Sequence, residues 1–210
     1  MPLRRGARIG VSRPGVWGGV AVSILVVARF ARSVELDQPG SARDGSVATM
    51  PTPEYVLALR EHIGHEPLVL IGVTAVVLKE TAEGTAVLLG RRSDNGALTP
   101  ITGIVDPGEE PAIAARREAM EEADVEIEVE RLAWVHQLPR KTHVNGDQVD
   151  YLDLTFRCRW IAGDPYPADG ELTEVGWHRI DHLDDVASDD LRERIRLAAT
   201  GTGETAFRKR

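Results

Sequence analysis

Three glutamates, Glu118, Glu121 and Glu122, are the residues whose spacing points most directly to chemistry. Residues three and four positions apart lie on one face of an α-helix, so these carboxylates are expected side by side. Like charges at these spacings repel one another, and either water or a bound cation relieves the repulsion. Carboxylate oxygens suit hard divalent cations, so the cluster predicts a site for Mg²⁺, with Mn²⁺ as a substitute. A solvated acidic helix face without function is the alternative.

The residues before the cluster predict the helix that carries it. Pro111 suits the first turn of a helix, and Glu109 and Glu110 lie near its positive end. A stripe of small residues would let the helix approach a sheet closely: Ala112, Ala115, Ala119 and Ala123. The pattern therefore predicts a loop over residues 103–108 and a helix over residues 111–123.

Residues 103–125 resemble the Nudix box, a motif of fixed glycine, glutamate, arginine and apolar positions. The positions in register are Gly103, Glu109, Arg117, Glu118, Glu121, Glu122 and Val125. So many fixed positions in so short a segment make a chance match improbable. Two positions depart from the motif, because Asp124 stands where glycine is usual and Ala119 is a small apolar residue. Aspartate tolerates a left-handed backbone less well than glycine, which puts the turn after the helix in doubt.

The resemblance implies an α/β/α sandwich around a mixed β-sheet, and a metal-dependent hydrolase that cleaves a P–O–P linkage. The metal ligands it implies are Glu118, Glu121, Glu122, the Gly103 carbonyl and, through water, Glu109. Glu118 or Glu121 would be the general base, and Arg117 would orient the carboxylates by hydrogen bonds to Glu121 and Glu109. Some family members use a glutamate on a distant loop instead. The candidates for that role here are Asp169, Glu171 and Glu174.

The substrate that the resemblance implies is a nucleoside diphosphate derivative, such as a nucleoside triphosphate or an ADP-ribose-like nucleotide sugar. Pro139, fourteen residues past Val125, is a weak sign of the ADP-ribose-cleaving branch. The substrate-binding residues predicted are Arg140, His143, Asp153 and Glu171, with Trp134, His136 and Lys141 as further candidates for stacking and phosphate contacts. For each of these residues, the alternative is a structural role in packing or a surface position without a substrate contact. The alternative function is a non-catalytic nucleotide-binding module. An enzyme is favoured, because all the glutamates of the motif are present in this sequence.

The remaining pattern predicts an α+β fold rather than a doubly wound one, because helices and strands do not alternate strictly. We expect a short helix over residues 50–65, capped by Thr52, a catalytic domain over residues 66–199 and a tail over residues 200–210. The strands expected are residues 68–78, 86–90, 125–138, 149–160 and 175–180, and the closing helix is residues 189–199.

Composition narrows the class of protein. The net charge of −8 argues against a nucleic-acid binder, and the single cysteine, Cys158, excludes an internal disulfide and fits a cytoplasmic location. Residues 1–49 are rich in arginine and contain an apolar stretch too short to cross a membrane. We interpret them as a disordered extension or the result of a wrong start, with a signal segment as the alternative. A homodimer is compatible with this composition.

Overall fold

One layered domain is formed by the residues that the computed structural model describes, 52–143, 145–186, 188–200 and 203–209. The predicted extension, residues 1–49, lies outside them. The helices are α1 (Glu54–Ile63), α2 (Pro111–Ala123) and α3 (Asp189–Thr200). The strands are β1 (Leu68–Thr81), β2 (Gly84–Arg92), β3 (Leu98–Thr99), β4 (Ile101–Ile104), β5 (Glu126–Gln137), β6 (Lys141–Thr142), β7 (Gln148–Ala162), β8 (Leu172–Arg179) and β9 (Ala206–Phe207). None of the helices in the described ranges is long and apolar enough to span a membrane.

All these strands belong to one mixed sheet, in which β3, β2, β1, β7, β5 and β9 follow one another. The central pair, β1 and β7, runs parallel from Leu68 opposite Val149 to Leu78 opposite Arg159. β2 and β4 both pair antiparallel with β1, and β5 pairs antiparallel with β7. The predicted α/β/α arrangement around a mixed sheet is confirmed.

Helices α2 and α3 cover opposite faces of this sheet because β1 alternates its side chains between the two sides. Val73, Ala75 and Val77 pack in the same cluster as the alanines of α2. Val76 and Leu78 pack in a second cluster with α3. Four alanines of α2, Ala114, Ala115, Ala119 and Ala123, are fully buried, so the backbone of α2 lies close against the sheet. This close approach fixes the height of the glutamate-bearing helix face above the sheet.

The structure corrects several local predictions. The N-cap position of α1 is Pro53, without a side-chain cap hydrogen bond, so Thr52 does not cap it. Gly103 belongs to β4 rather than to a loop, because β4 pairs with β1 at the sheet centre. The predicted tail contributes β9, which pairs in parallel with β5 at Trp134 and Val135. Helix α2 has the predicted bounds, and Ser188 Oγ accepts a hydrogen bond from Leu191 N at the start of α3.

Asp124 adopts the left-handed conformation that was in doubt, with φ 53° and ψ 39° directly after α2. It is the one non-glycine residue with positive φ among the described residues. We expect Asp124→Gly to raise the free energy of unfolding by about 0.5 to 1 kcal/mol, because glycine removes the Cβ strain but gains entropy in the unfolded chain. Urea unfolding measures the change. Asp164→Gly, at an exposed position with ordinary φ, is the control and should be neutral or destabilising. A loss of stability in Asp124→Gly would show that this turn is not strained.

Candidate active site

Arg117 is the centre of the polar network on the exposed face of α2. Its Nε and Nη2 atoms donate to both carboxylate oxygens of Glu109, at 3.0 and 2.9 Å. Its Nη1 atom donates to Glu118 at 2.9 Å and to Glu121 at 3.0 Å, and Nη2 also donates to the Ile104 carbonyl at 3.1 Å. One guanidinium therefore joins the helix, the loop before it and the end of β4. These contacts include the two hydrogen bonds predicted for Arg117 from the sequence.

Gly103 and Glu118 approach each other so closely that a side chain at position 103 is impossible without movement. A Cβ atom built on Gly103 would lie 2.0 Å from both Cδ and Oε1 of Glu118. The carboxylate thus rests against the backbone of β4, and its side chain is only 13% exposed. The fixed glycine of the motif is explained by this contact, which brings the Glu118 carboxylate beside the Gly103 backbone.

The carboxylates on this face are held in an unfavourable environment. Desolvation raises the pKa of Glu118 to about 7, although Arg117 partly offsets it. Desolvation, followed by repulsion from Glu118, raises the pKa of Glu122 well above its usual value. The Glu122 residue is only 3% exposed. Buried like charges of this kind favour either protonation or a nearby cation.

A cavity of about 630 Å³, which we call the acidic pocket, lies in front of Glu118 and Glu121, whereas the buried Glu122 is not among its lining residues. Its polar lining comes from four segments: Glu54 and Tyr55 of α1, Thr102 and Asp106 in and after β4, Arg117, Glu118 and Glu121 of α2, and Asp169 and Glu171 before β8. Sequence reasoning missed the contribution of α1. The Tyr55 hydroxyl donates to the Val105 carbonyl at 3.4 Å, which links α1 to the loop containing Glu109.

Of the three distant-loop acids, the structure places two in the acidic pocket. Asp169 and Glu171 line it, and the pKa of Glu171 is raised by desolvation and then by repulsion from Asp169. Glu174 instead lies on β8 and pairs with Arg91 at 3.1 Å, with its side chain 71% exposed. Asp169 Oδ1 accepts a hydrogen bond from the Glu171 backbone N–H at 2.9 Å. Asp169 therefore shapes the turn that presents Glu171.

This turn lies near α2 because it caps the end of the helix. The backbone N–H groups of Tyr166 and Ala168 donate to the last carbonyls of the helix, at Ala123 and Glu122, over 3.0 and 3.2 Å. The terminal carbonyls of a helix lack partners within it, so a passing loop can satisfy them. The same hydrogen bonds bring an acidic loop beside the acidic helix.

A second cavity of about 320 Å³, which we call the side pocket, adjoins the first. The two share Thr102, Gly103 and Ile104 as lining residues. Of the predicted substrate-binding residues, His143 and Asp153 line the side pocket, as does Lys141. Arg140 does not line it and instead forms a surface pair with Asp150 at 2.6 Å. Lining residues that the sequence reasoning missed are Arg92, Tyr151 and Arg194.

Asp153 and Arg194 form a buried ion pair at the inner end of the side pocket, at 3.1 Å and with side chains 4% and 6% exposed. Asp153 also accepts hydrogen bonds from the hydroxyls of Thr74 and Thr155, at 2.8 and 2.7 Å. Arg194 reaches this point from α3, where it also binds Asp190 at 2.7 Å. Asp153 is thus fully engaged by the protein.

Trp134 and His136 lie within the core rather than in a pocket. Their rings are stacked at 3.5 Å between centroids, and both residues are buried. His136 Nε2 lies 3.2 Å from Asp190 Oδ1, yet burial lowers the pKa of His136 below its usual value. Their position favours packing over the predicted role in stacking on a substrate.

No group of three or more acidic, histidine or cysteine side chains within the described ranges is arranged to hold a metal ion as it stands. The cation that contacts the carboxylates of Glu109, Glu118 and Glu121 is the guanidinium of Arg117. The oxygen atoms on this face are nevertheless those that hard divalent cations prefer as ligands, since they belong to carboxylates and a backbone carbonyl.

Comparison with known proteins gives a consistent result. The family model described as the NUDIX domain matches residues 70–198. A MutT-like protein from Streptomyces ambofaciens is 28% identical over 137 residues, which cover 65% of this chain and 81% of that protein. A NUDIX hydrolase from Nitrosomonas europaea superimposes with a TM-score of 0.51 at 24% identity, covering 66% of this chain and 76% of that one. An ADP-ribose pyrophosphatase from Streptococcus suis gives 0.50 at 20% identity, covering 66% and 98%. These structures share the fold.

Proposed function

The chain belongs to the Nudix family, and from this we propose that it hydrolyses a diphosphate linkage in a nucleoside diphosphate derivative with the help of Mg²⁺. The substrates we propose are a nucleoside triphosphate or an ADP-ribose-like nucleotide sugar. The observation that carries the proposal is the arrangement around Arg117, which binds Glu109 in the loop and holds Glu118 and Glu121 at the edge of one cavity. Glu171 lines the same cavity from a different segment.

The residues present fit a divalent cation. Glu118 and Glu122 are buried carboxylates whose pKa values are raised first by desolvation and then by repulsion from neighbouring carboxylates. The positive charge of Mg²⁺ or Mn²⁺ beside them would stabilise both ionised forms. We propose that Glu118, Glu121, Glu122 and the Gly103 carbonyl hold the metal, with Glu109 contributing through water. When bound, the metal would neutralise negative charge on the phosphoryl group and lower the pKa of the water molecule bound to it.

We assign the general base to Glu171, the distant-loop alternative, rather than to Glu118 or Glu121, which we propose as metal ligands. Its carboxylate lines the acidic pocket, and its raised pKa makes it a stronger base than an ordinary glutamate. Asp169 fixes the Glu171 backbone, and the hydrogen bonds to the end of α2 hold the loop in place. In this assignment the Glu171 carboxylate accepts a proton from the attacking water. Arg117 holds the helix carboxylates, and the loop between β4 and α2 keeps its shape through Glu109, which also accepts from the Asp106 N–H at 3.1 Å.

The metal requirement gives a direct test of the proposed function. With the full chain, we expect hydrolysis of nucleotides to vanish in excess chelator and to return on addition of Mg²⁺ or Mn²⁺, because oxygen ligands suit hard cations. Pyrophosphate, phosphate and nucleoside monophosphate release are measured separately, since the products identify the bond that is cleaved. Undiminished turnover in chelator would contradict the metal mechanism. Nucleotide binding without turnover at any metal concentration would identify a non-catalytic module instead.

A further inference from the structure

Lys141 is a cation of the side pocket whose side chain forms neither a hydrogen bond nor an ion pair with the described residues. It lies on β6, which pairs with the start of β7. The carboxylate of Asp94 attracts its ammonium group, but Asp94 already forms an ion pair with Arg92 at 2.7 Å. The other cations of the pocket are engaged. Arg92 contacts both oxygens of Asp94, at 2.9 and 2.7 Å, and Arg194 pairs with Asp153.

Cationic side chains outnumber carboxylates in the lining of the side pocket, with Arg92, Lys141 and Arg194 against Asp94 and Asp153. Lys141 as a whole is exposed to solvent, yet desolvation at the pocket wall and repulsion from Arg92 lower the pKa of its ammonium group, and attraction to Asp94 only partly offsets them. His143 lines the pocket beside it, and burial followed by repulsion from Lys141 lowers the pKa of that imidazole. An anion placed between these groups would relieve the repulsion, which gives the wall an affinity for negative charge.

Apolar and aromatic side chains also line the side pocket. They are Ile104, Leu138, Tyr151 and Leu191. Thr102, Gly103 and Ile104 of β4 line both this cavity and the acidic pocket, so the two cavities adjoin and one extended molecule would reach both. A part of the substrate that lies in the side pocket would meet both apolar contacts and the ammonium group of Lys141.

We propose that the side pocket is a second anion-binding subsite, in which Lys141 binds a phosphate monoester or carboxylate that the substrate carries in addition to the diphosphate being cleaved. This inference rests on the proposed function, which places the diphosphate at the acidic pocket. It narrows the substrate class to nucleoside diphosphate derivatives with a further anionic group. Nucleotide sugars with neutral sugars lack the group that Lys141 binds.

Matched substrate pairs test the subsite. NAD⁺ and NADP⁺ differ by one phosphate monoester, and UDP-glucose and UDP-glucuronate differ by one carboxylate, so the two pairs also distinguish the anions. We expect kcat/KM to favour the charged member of at least one pair by about tenfold, the lower range for a hydrogen bond to a charged group. Lys141→Gln should abolish that preference. Arg140→Gln is the matched control, because the neighbouring Arg140 lies outside the pocket and pairs with Asp150. A preference that survives in Lys141→Gln, or no preference in the parent, overturns the proposal.

Equilibrium binding separates the subsite from the hydrolysis. Adenosine 2′-monophosphate contains no diphosphate, so its binding in chelator, compared with that of adenosine, reports the anion contact without catalysis. We expect calorimetry to show about tenfold tighter binding of the phosphorylated compound, lost in Lys141→Gln and kept in Arg140→Gln. Binding of this kind without turnover of any diphosphate would uphold the subsite and reject the proposed hydrolysis. Equal binding of both compounds by the parent protein would reject a phosphate subsite, and together with equal kcat/KM for UDP-glucose and UDP-glucuronate it would reject the subsite altogether.

Discussion

Glu118→Gln is expected to lower kcat by about 10² to 10⁴-fold while the fold is retained. The substitution keeps the shape of a side chain that rests against Gly103, but it removes a charge proposed to hold the metal. Losing such a group weakens stabilisation that matters most in the transition state, and effects of this size are typical for one catalytic group. Steady-state kinetics at saturating Mg²⁺ measures the loss. Glu126→Gln, at an exposed position just past the helix, is the matched control and should behave like the parent.

The stability of the same variant in chelator should change in the opposite direction to its activity. The pKa of Glu118 in the folded chain, about 7, lies above its ordinary value of 4.5. Below pH 4.5 the Glu118 carboxyl is protonated in both the folded and the unfolded chain, so its ionisation does not change the free energy of unfolding. As the pH rises from 4.5 through the folded pKa of about 7, the free energy of unfolding falls, because the folded chain holds this proton more tightly than the unfolded chain does. We expect the Tm of Glu118→Gln to equal or exceed that of the parent at pH 8, with a smaller difference at pH 4.5. If Glu118→Gln hydrolyses nucleotides at the rate of the parent protein, the glutamates on this face of α2 are only solvated and do not form the active site.

Arg194→Met is expected to lower the free energy of unfolding by about 3 to 5 kcal/mol, the largest stability effect we anticipate. The variant leaves the buried Asp153 carboxylate without its cationic partner, and an uncompensated buried charge is costly. The hydroxyls of Thr74 and Thr155 would still donate to Asp153 but carry no charge. Urea unfolding, followed by circular dichroism, measures the change.

Two further variants show whether the buried charge causes this loss. Arg196→Met makes the same substitution on the same helix at a side chain that is 58% exposed and pairs with Glu193. It should change stability by less than about 1 kcal/mol. The double variant Asp153→Asn with Arg194→Met removes both charges and should recover part of the stability lost in Arg194→Met. A loss below about 1 kcal/mol in Arg194→Met would show that water already solvates Asp153.

The buried pair also changes the interpretation of Asp153. The sequence predicted a substrate contact, and Asp153 does line the side pocket. Its oxygens, however, are taken up by Thr74, Thr155 and Arg194, three residues from three different elements. We therefore expect the activity of Asp153 variants to follow their stability. The exposed Lys141 is a better candidate for contact with a ligand.

The sequence by itself determined the features that depend on local spacing. Helix α2 has the predicted bounds because Pro111 suits a first turn and the alanine stripe is set by the helical repeat. The hydrogen bonds from Arg117 to Glu109 and Glu121 were also predictable, since Glu121 is one helical turn from Arg117 and Glu109 is in the adjacent loop. Hairpin β1–β2 and the long strands β5 and β7 followed from runs of apolar and β-branched residues.

Only the tertiary structure decided which distant residues face the glutamates. Asp169 and Glu171 enter the acidic pocket because their loop satisfies the last carbonyls of α2, whereas Glu174 points to a surface pair with Arg91. Spacing along the chain cannot distinguish these three acids, since the choice depends on hydrogen bonds between separate segments. Likewise, Arg140 and Lys141 are adjacent in sequence, yet only Lys141 lines the side pocket, because Lys141 is held by the pairing of β6 with β7, whereas Arg140 precedes β6 and pairs with Asp150 at the surface.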